Sequence, residues 1–313
     1  MARLRFVIRR VLLLIPTLLV ITFVTFLMLR SAPGDPARVI AGPRASEEVI
    51  QQIREQLGLN QPILVQYLHY LDRVLHGDFG ANLTGSQDVS QVIGASVPVT
   101  GLLVLGAALL TMVIATPLAI LAARRPGGPT DSGIRALSIA GVAIPIFWLG
   151  LMLITYVALP TGWFPVGGWP DSTQGRFLAL VLPSLTLALS MAPIVMRSLR
   201  SSLIDVWGSD YVKAARAMGL SRGRVTRRFV ARNATVPSVP VLAIVVGLLL
   251  GGTVITEYTF NLPGAGSALV QAAQQRDANV VQGLTLVMGV TVALVYLIAD
   301  IILSLLDPRV RIE

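Results

Sequence analysis

The chain has 313 residues, 54% hydrophobic and only 13% charged. About a quarter of the residues in a soluble domain are charged, so this balance excludes an ordinary soluble protein and points to an all-α polytopic membrane protein. The net charge of +9 reads as arginine at the inner membrane surface rather than a nucleic-acid footprint, and the lack of cysteine excludes disulfides, thiolate metal sites and thiol nucleophiles.

Arg3, Arg5, Arg9 and Arg10 precede an uncharged run over 11–29. That run is longer than a signal-peptide core and no A-x-A site follows it, so a retained first span with its N-terminus inside is expected. Pro16 is a candidate kink. Residues 31–96 form the one long polar region on the far side, with a slight acidic excess. Ser46-Glu47-Glu48-Val49 reads as an N-cap followed by first-turn acids, opening a helix to about Leu57. From Leu64 to Leu75 apolar residues recur at helical spacing. The region is expected to be a small extracytoplasmic α-rich domain that rests on the spans.

Five further spans are predicted near 98–123, 135–159, 178–197, 233–256 and 280–304. Arg124-Arg125-Pro126-Gly127-Gly128-Pro129 is a basic turn, hence inside. The loop 160–176 carries Trp163 and Trp169 as outer interface anchors. Residues 197–232 hold nine basic residues against Asp205 and Asp210, hence inside. Residues 257–279 are outside, and Asp307-Pro308-Arg309-Val310-Arg311 closes the chain inside. Six transmembrane helices with both termini cytoplasmic satisfy every loop. The expected division is 1–30 (tail and first span), 31–96 (extracytoplasmic domain), 97–306 (five-helix core with an inner loop at 198–232) and 307–313 (cytoplasmic tail). Gly101, Gly106, Gly141, Gly150, Gly247, Gly251, Gly252 and Gly289 are expected to serve close helix packing.

The most informative stretch is Asp210-Tyr211-Val212-Lys213-Ala214-Ala215-Arg216-Ala217-Met218-Gly219-Leu220. Ala214 and Ala215 favour helix and keep the backbone approachable. Gly219 suits the position after a helix end, where positive φ is cheap. Leu220 can fold back on the last turn, and Ser221 can cap a second helix. A short interfacial helix for another protein to grip is expected, with Tyr211 as a surface anchor and Arg216 facing an acid or headgroups. Lys213 is the only lysine and follows Val212, so no Gly-Lys-Ser/Thr nucleotide loop exists. The spans from Gly101 to Ala299 are nearly free of ionisable groups, whereas ion-coupled carriers keep an acid or His at mid-membrane. If a solute crosses, the energy must then come from another subunit. An intramembrane enzyme is the rival reading: Ser184 and Ser190 lie in a span, but no span supplies a His or paired acid to activate them. His69, Asp72 and His76 share a helical face without a fourth ligand, so no metal site is assigned.

Lys213-Ala214-Ala215, three residues, then Gly219 resembles the EAA coupling loop of ABC importer permeases, with Lys213 in place of the lead acid; Asn233-Ala234-Thr235-Val236-Pro237 matches its tail. Ala32-Pro33-Gly34-Asp35-Pro36, Leu57-Gly58-Leu59-Asn60-Gln61-Pro62, Gln66-Tyr67-Leu68, Gly77-Asp78-Phe79-Gly80, Glu257-Tyr258-Thr259-Phe260-Asn261-Leu262-Pro263-Gly264-Ala265-Gly266 and Asp307-Pro308-Arg309 resemble the B-type subunit of the dipeptide/oligopeptide branch. The set covers the chain in family order. The resemblance implies a type I importer permease of the bacterial cytoplasmic (inner) membrane that catalyses no covalent chemistry and has no cofactor of its own. It implies a homologous second permease, two cytoplasmic ATPase subunits holding ATP and Mg2+, an extracytoplasmic solute-binding protein, and a short-peptide substrate, with nickel or another small solute in some relatives. On this reading Asp210, Tyr211, Lys213, Ala214, Ala215, Arg216, Gly219 and Leu220 meet an ATPase. Glu257, Phe260, Pro263, Gly264 and Gly266 form the binding-protein and substrate entrance, with Glu257 shaping it electrostatically.

Overall fold

The structure, a computed structural model, describes residues 2–30, 36–42, 45–56, 58–82 and 85–306. The turn at Pro33-Gly34-Asp35, Leu57 and the closing Asp307-Pro308-Arg309-Val310-Arg311 lie outside the described residues. The apolar run at the N-terminus becomes α1 (Ala2–Arg30), and the polar region contributes α2 (Glu47–Gln56) and α3 (Ile63–Leu75). A bundle follows: α4 (Val89–Arg124), α5 (Pro129–Ala143), α6 (Ile146–Leu153), α7 (Thr173–Gly208), α8 (Asp210–Ala217), α9 (Val239–Thr259), α10 (Ala265–Gln275) and α11 (Ala278–Leu306). A π turn, Ile154–Ala158, carries α6 on to Thr161.

Among the described residues four helices are long and apolar enough to cross a membrane: α4, α7, α9 and the Ala278–Leu303 part of α11. The pair Pro129–Ala143 and Ile146–Thr161 makes a fifth if taken as one span, and α1 adds the shorter apolar stretch Val11–Leu27. The continuous span expected near 135–159 is therefore broken, with a bend of 99°. The cause is local. Pro145 has no N–H to donate and its ring forces the preceding residue out of the α region; Ile144 lies at φ −78°, ψ 124°.

The bundle is built around α4 and α7, which pack along each other more extensively than any other pair. Small residues allow this: Ala107, Ala115 and Ala119 of α4 and Ala192 of α7 are buried in one shared core cluster. A Cβ on Gly106 would come within 2.7 Å of Ser184 Oγ. Gly150, Gly247, Gly252 and Gly289 likewise sit against neighbouring side chains, whereas Gly101 and Gly251 face open space. Several hydroxyls inside the helices turn back on their own backbone, as Thr186 does to Leu182 O (2.9 Å) and Thr256 to Gly252 O (3.1 Å), which suits a solvent that offers no hydrogen bonds.

α1 lies outside this core, along α11. The polar region is fastened to it by Tyr67, whose hydroxyl donates to Leu19 O (3.0 Å) and meets Thr22 Oγ1 (2.7 Å), while Phe23 packs edge-on to the Tyr67 ring. At the start of α11, Asn279 Nδ2 donates to Ala81 O (2.8 Å). The region thus rests on the apolar helices, as its small size requires.

Candidate functional site

Two places stand out, at opposite ends of α9, whose 21 residues span roughly 30 Å. At the arginine-rich end, α7 runs to Gly208 and a single residue, Ser209, separates it from α8. Ser209 is extended (φ −68°, ψ 149°), and its hydroxyl donates back to Val206 O (2.6 Å) while its carbonyl accepts from Val212 and Lys213. One residue therefore closes α7 and opens α8. Asp210 sits in the first turn, where a negative charge is favourable. It pairs with Lys213 at 3.0 Å in the open, a contact that adds little stability.

The far end of α8 is a Schellman motif. Gly219 N–H donates to Arg216 O (3.0 Å) and Leu220 N–H to Ala215 O (3.3 Å), with Gly219 at φ +78°. A second helical segment, Arg222–Val225, begins just after Ser221. The two alanines do not share a face. Ala215 (1% exposed) and Val212 (0%) enter the main core with Leu199 and Leu203 of α7. Ala214 points out, between Tyr211 and Met218, which is 73% exposed. Spacing of three and four residues puts Tyr211, Ala214 and Met218 on one outward face. Tyr211 Oη also accepts from Asn233 Nδ2 (3.3 Å), which ties α8 to the segment leading into α9.

At the other end α9 stops in a second Schellman motif, this time on asparagine. Asn261 (φ +50°) donates to Tyr258 O and Leu262 N–H to Glu257 O. Glu257, expected to shape the entrance electrostatically, is fully buried (0% exposed). It accepts from Thr100 Oγ1 of α4 (2.6 Å) and from the first-turn N–H groups of α10, Gly266 (2.8 Å) and Ser267 (3.0 Å). Thr100 Oγ1 in turn accepts from Ala265 N (2.7 Å). One carboxyl group thus joins α4, α9 and the N-terminus of α10 by accepting three hydrogen bonds. Gly264 is required here because a Cβ would overlap the Glu257 carboxylate, and Gly266 because one would lie 2.6 Å from Val254 Cα. Phe260 is buried, and its carbonyl accepts from Gly168 N (3.0 Å). Of the expected entrance residues only Pro263 is exposed, beside Asn261 and Tyr258.

Sequence reasoning missed a third element. Asp131, 0% exposed in the first turn of α5, accepts a two-pronged bond from Arg200 of α7, Nε to Oδ1 and an Nη to Oδ2, each at 2.6 Å. Gly127 N–H adds a third (2.8 Å) and Arg135 lies at 3.8 Å. The available signal was the rarity of acids: Asp131 and Asp171 are the only ones between residues 101 and 204. Thr100 carried no comparable signal. Ser184 Oγ has no hydrogen-bond partner and Ser190 Oγ is bound to backbone carbonyls, so neither hydroxyl has an activating base.

Comparison with known proteins gives a consistent answer. Residues 115–312 match the family described as binding-protein-dependent transport system inner membrane component, and residues 3–104 match its N-terminal companion. The oligopeptide transport system permease protein AppB of Bacillus subtilis is 38% identical over 312 residues, 98% of this chain and 99% of the relative. A probable peptide ABC transporter permease of Sinorhizobium fredii is 36% identical, and the glutathione transport system permease protein GsiC of Salmonella choleraesuis 37%, each covering 98% of this chain and 99% of the relative. Among solved structures, a chain of the MetNI methionine ABC transporter superimposes with a TM-score of 0.59 at 19% identity, covering 69% of this chain and 97% of that one.

Proposed function

Because the chain belongs to the family of binding-protein-dependent transport system inner membrane components, we propose that it is the permease subunit of an ABC importer for short peptides. Relatives matched over their full length are oligopeptide, peptide and glutathione permeases, and glutathione is itself a small peptide. The spans offer an apolar, nearly charge-free lining that does not select one peptide charge pattern. The arginine-rich end lies in the cytoplasm and residues 31–96 outside, with six spans and both termini inside. A sister permease completes the pathway. Two cytoplasmic ATPases bind ATP and Mg2+, and an external binding protein delivers the peptide.

α8 is the foot that the ATPase holds. The observation that carries this reading is its division into two faces: Tyr211, Ala214 and Met218 are free to enter a partner, while Val212 and Ala215 are set in the core. That core is one continuous cluster reaching Phe260 and Leu262 at the other end of the bundle. Displacing α8 therefore loads packed side chains, which shift between discrete arrangements rather than yield locally. The exposed tip formed by Asn261 and Pro263 is where the binding protein docks, and Glu257, Phe260, Gly264 and Gly266 hold that tip in shape.

The test is copurification followed by reconstitution. The tagged chain is expected to bring down two nucleotide-binding subunits and a second permease, and proteoliposomes of the complex to accumulate a labelled tripeptide only with ATP and the binding protein. Uptake by the chain alone under a proton or sodium gradient would overturn the proposal.

A further inference from the structure

An open cleft of about 1240 Å3 lies at the arginine-rich end, between the last turns of α4 and α7 and the segment after α8. Four arginines line it: Arg124 and Arg125 where α4 stops, Arg216 on α8, and Arg227 in the π turn Thr226–Ala231. No acidic residue lines it, and among the described residues no carboxylate is paired with any of the four. The acids on adjoining elements are elsewhere: Asp131 is held by Arg200, Asp210 by Lys213, and Asp205 is exposed outside the lining. Four uncompensated cations repel one another, so the cleft is arranged for an anionic group such as phosphate, which arginine grips with paired N–H donors.

The remaining wall decides the source of that phosphate. Ile120, Leu121 and Trp207 also line the cleft. Leu121 ends an exposed apolar stripe on α4 that descends through Leu102, Leu105, Leu109 and Val113. Steps of four from Leu105, through the exposed Pro117, set these side chains along one inclined ridge of the helix. Lined by arginines and by apolar side chains that continue into an exposed apolar ridge of α4, the cleft has the amphipathic character of a lipid, whereas free phosphate would leave its apolar side chains uncovered.

We propose that this cleft binds an anionic phospholipid of the phosphatidylglycerol type, its phosphate among the arginines and its acyl chains along the stripe of α4. The inference rests on the bundle sitting in a bilayer and assigns Arg216 to a headgroup rather than to the ATPase, while Arg124, Arg125 and Arg227 lie outside α8.

The assembled transporter is reconstituted in vesicles of phosphatidylcholine with either brominated phosphatidylglycerol or brominated phosphatidylcholine. Fluorescence is compared with that of Trp207→Phe to isolate the Trp207 signal. Brominated phosphatidylglycerol is expected to quench that signal more strongly, and millimolar inorganic phosphate to leave the difference intact. Replacing Arg124 and Arg227 by Gln should lower the apparent affinity for phosphatidylglycerol by roughly twenty-fivefold, about fivefold per arginine near a membrane surface. Equal quenching by the two lipids in the wild type overturns the proposal without recourse to a variant. Loss of the preference on adding phosphate would make this a free-anion site, and a preference seen only when the ATPases are removed would make it a protein interface. Either result also overturns the proposal.

Discussion

Glu257 illustrates how one side chain can be legible in sequence while the contacts that hold it are not. Its position beside Pro263-Gly264-Ala265-Gly266 marks it as special, but its burial depends on Thr100, which is 157 residues away and has no distinguishing local pattern. Its work is to satisfy three donors at the junction of α4, α9 and α10. Glu257→Ala is expected to leave those donors unmet and destabilise the bundle by at least about 2 kcal/mol, read as a lower thermal midpoint in detergent; Glu257→Gln, which keeps one acceptor oxygen, should fall between. Gly264→Ala drives a methyl into the carboxylate, so its penalty should shrink in the Glu257→Ala background. Additive penalties would mean that the two positions do not meet as described.

At the scale of elements, the most readable feature was the end of α8. Gly219 and Leu220 predict a Schellman stop, and both of its hydrogen bonds are present. Gly219→Pro is expected to abolish ATP-driven uptake and ATPase retention while leaving the spans inserted, because proline has no N–H for Arg216 O and cannot reach φ +78°. Retention of both activities would remove α8 from the proposed coupling. The face of α8 was less legible: alanines at adjacent positions lie 100° apart, so only one can be buried. The Pro145 break was missed because proline inside an apolar run is also tolerated within helices, as at Pro117 and Pro183. The Asp131–Arg200 pair fastens α5 to α7 just before α8. Asp131→Ala is expected to cost about 3–5 kcal/mol, since it strands a largely buried guanidinium, and Arg200→Met in that background should recover much of the loss. A double variant no more stable than the single one would mean the pair does more than cancel two charges.

For the molecule as a whole, hydrophobic runs and arginine placement sufficed to identify an all-α membrane protein, because bilayer thickness and backbone hydrogen bonding leave few alternatives. What they could not convey was how helices of unequal length fit together. α7 has 36 residues, roughly 54 Å of helix against about 30 Å of hydrocarbon. It therefore outreaches any membrane that contains it, and the excess at one end leads straight into α8. Such a rod acts as a lever. A tilt of about ten degrees imposed at that end would swing the opposite tip through roughly 9 Å, so if α8 is the coupling foot, as proposed, a modest stroke there would suffice to part the helices at the far end.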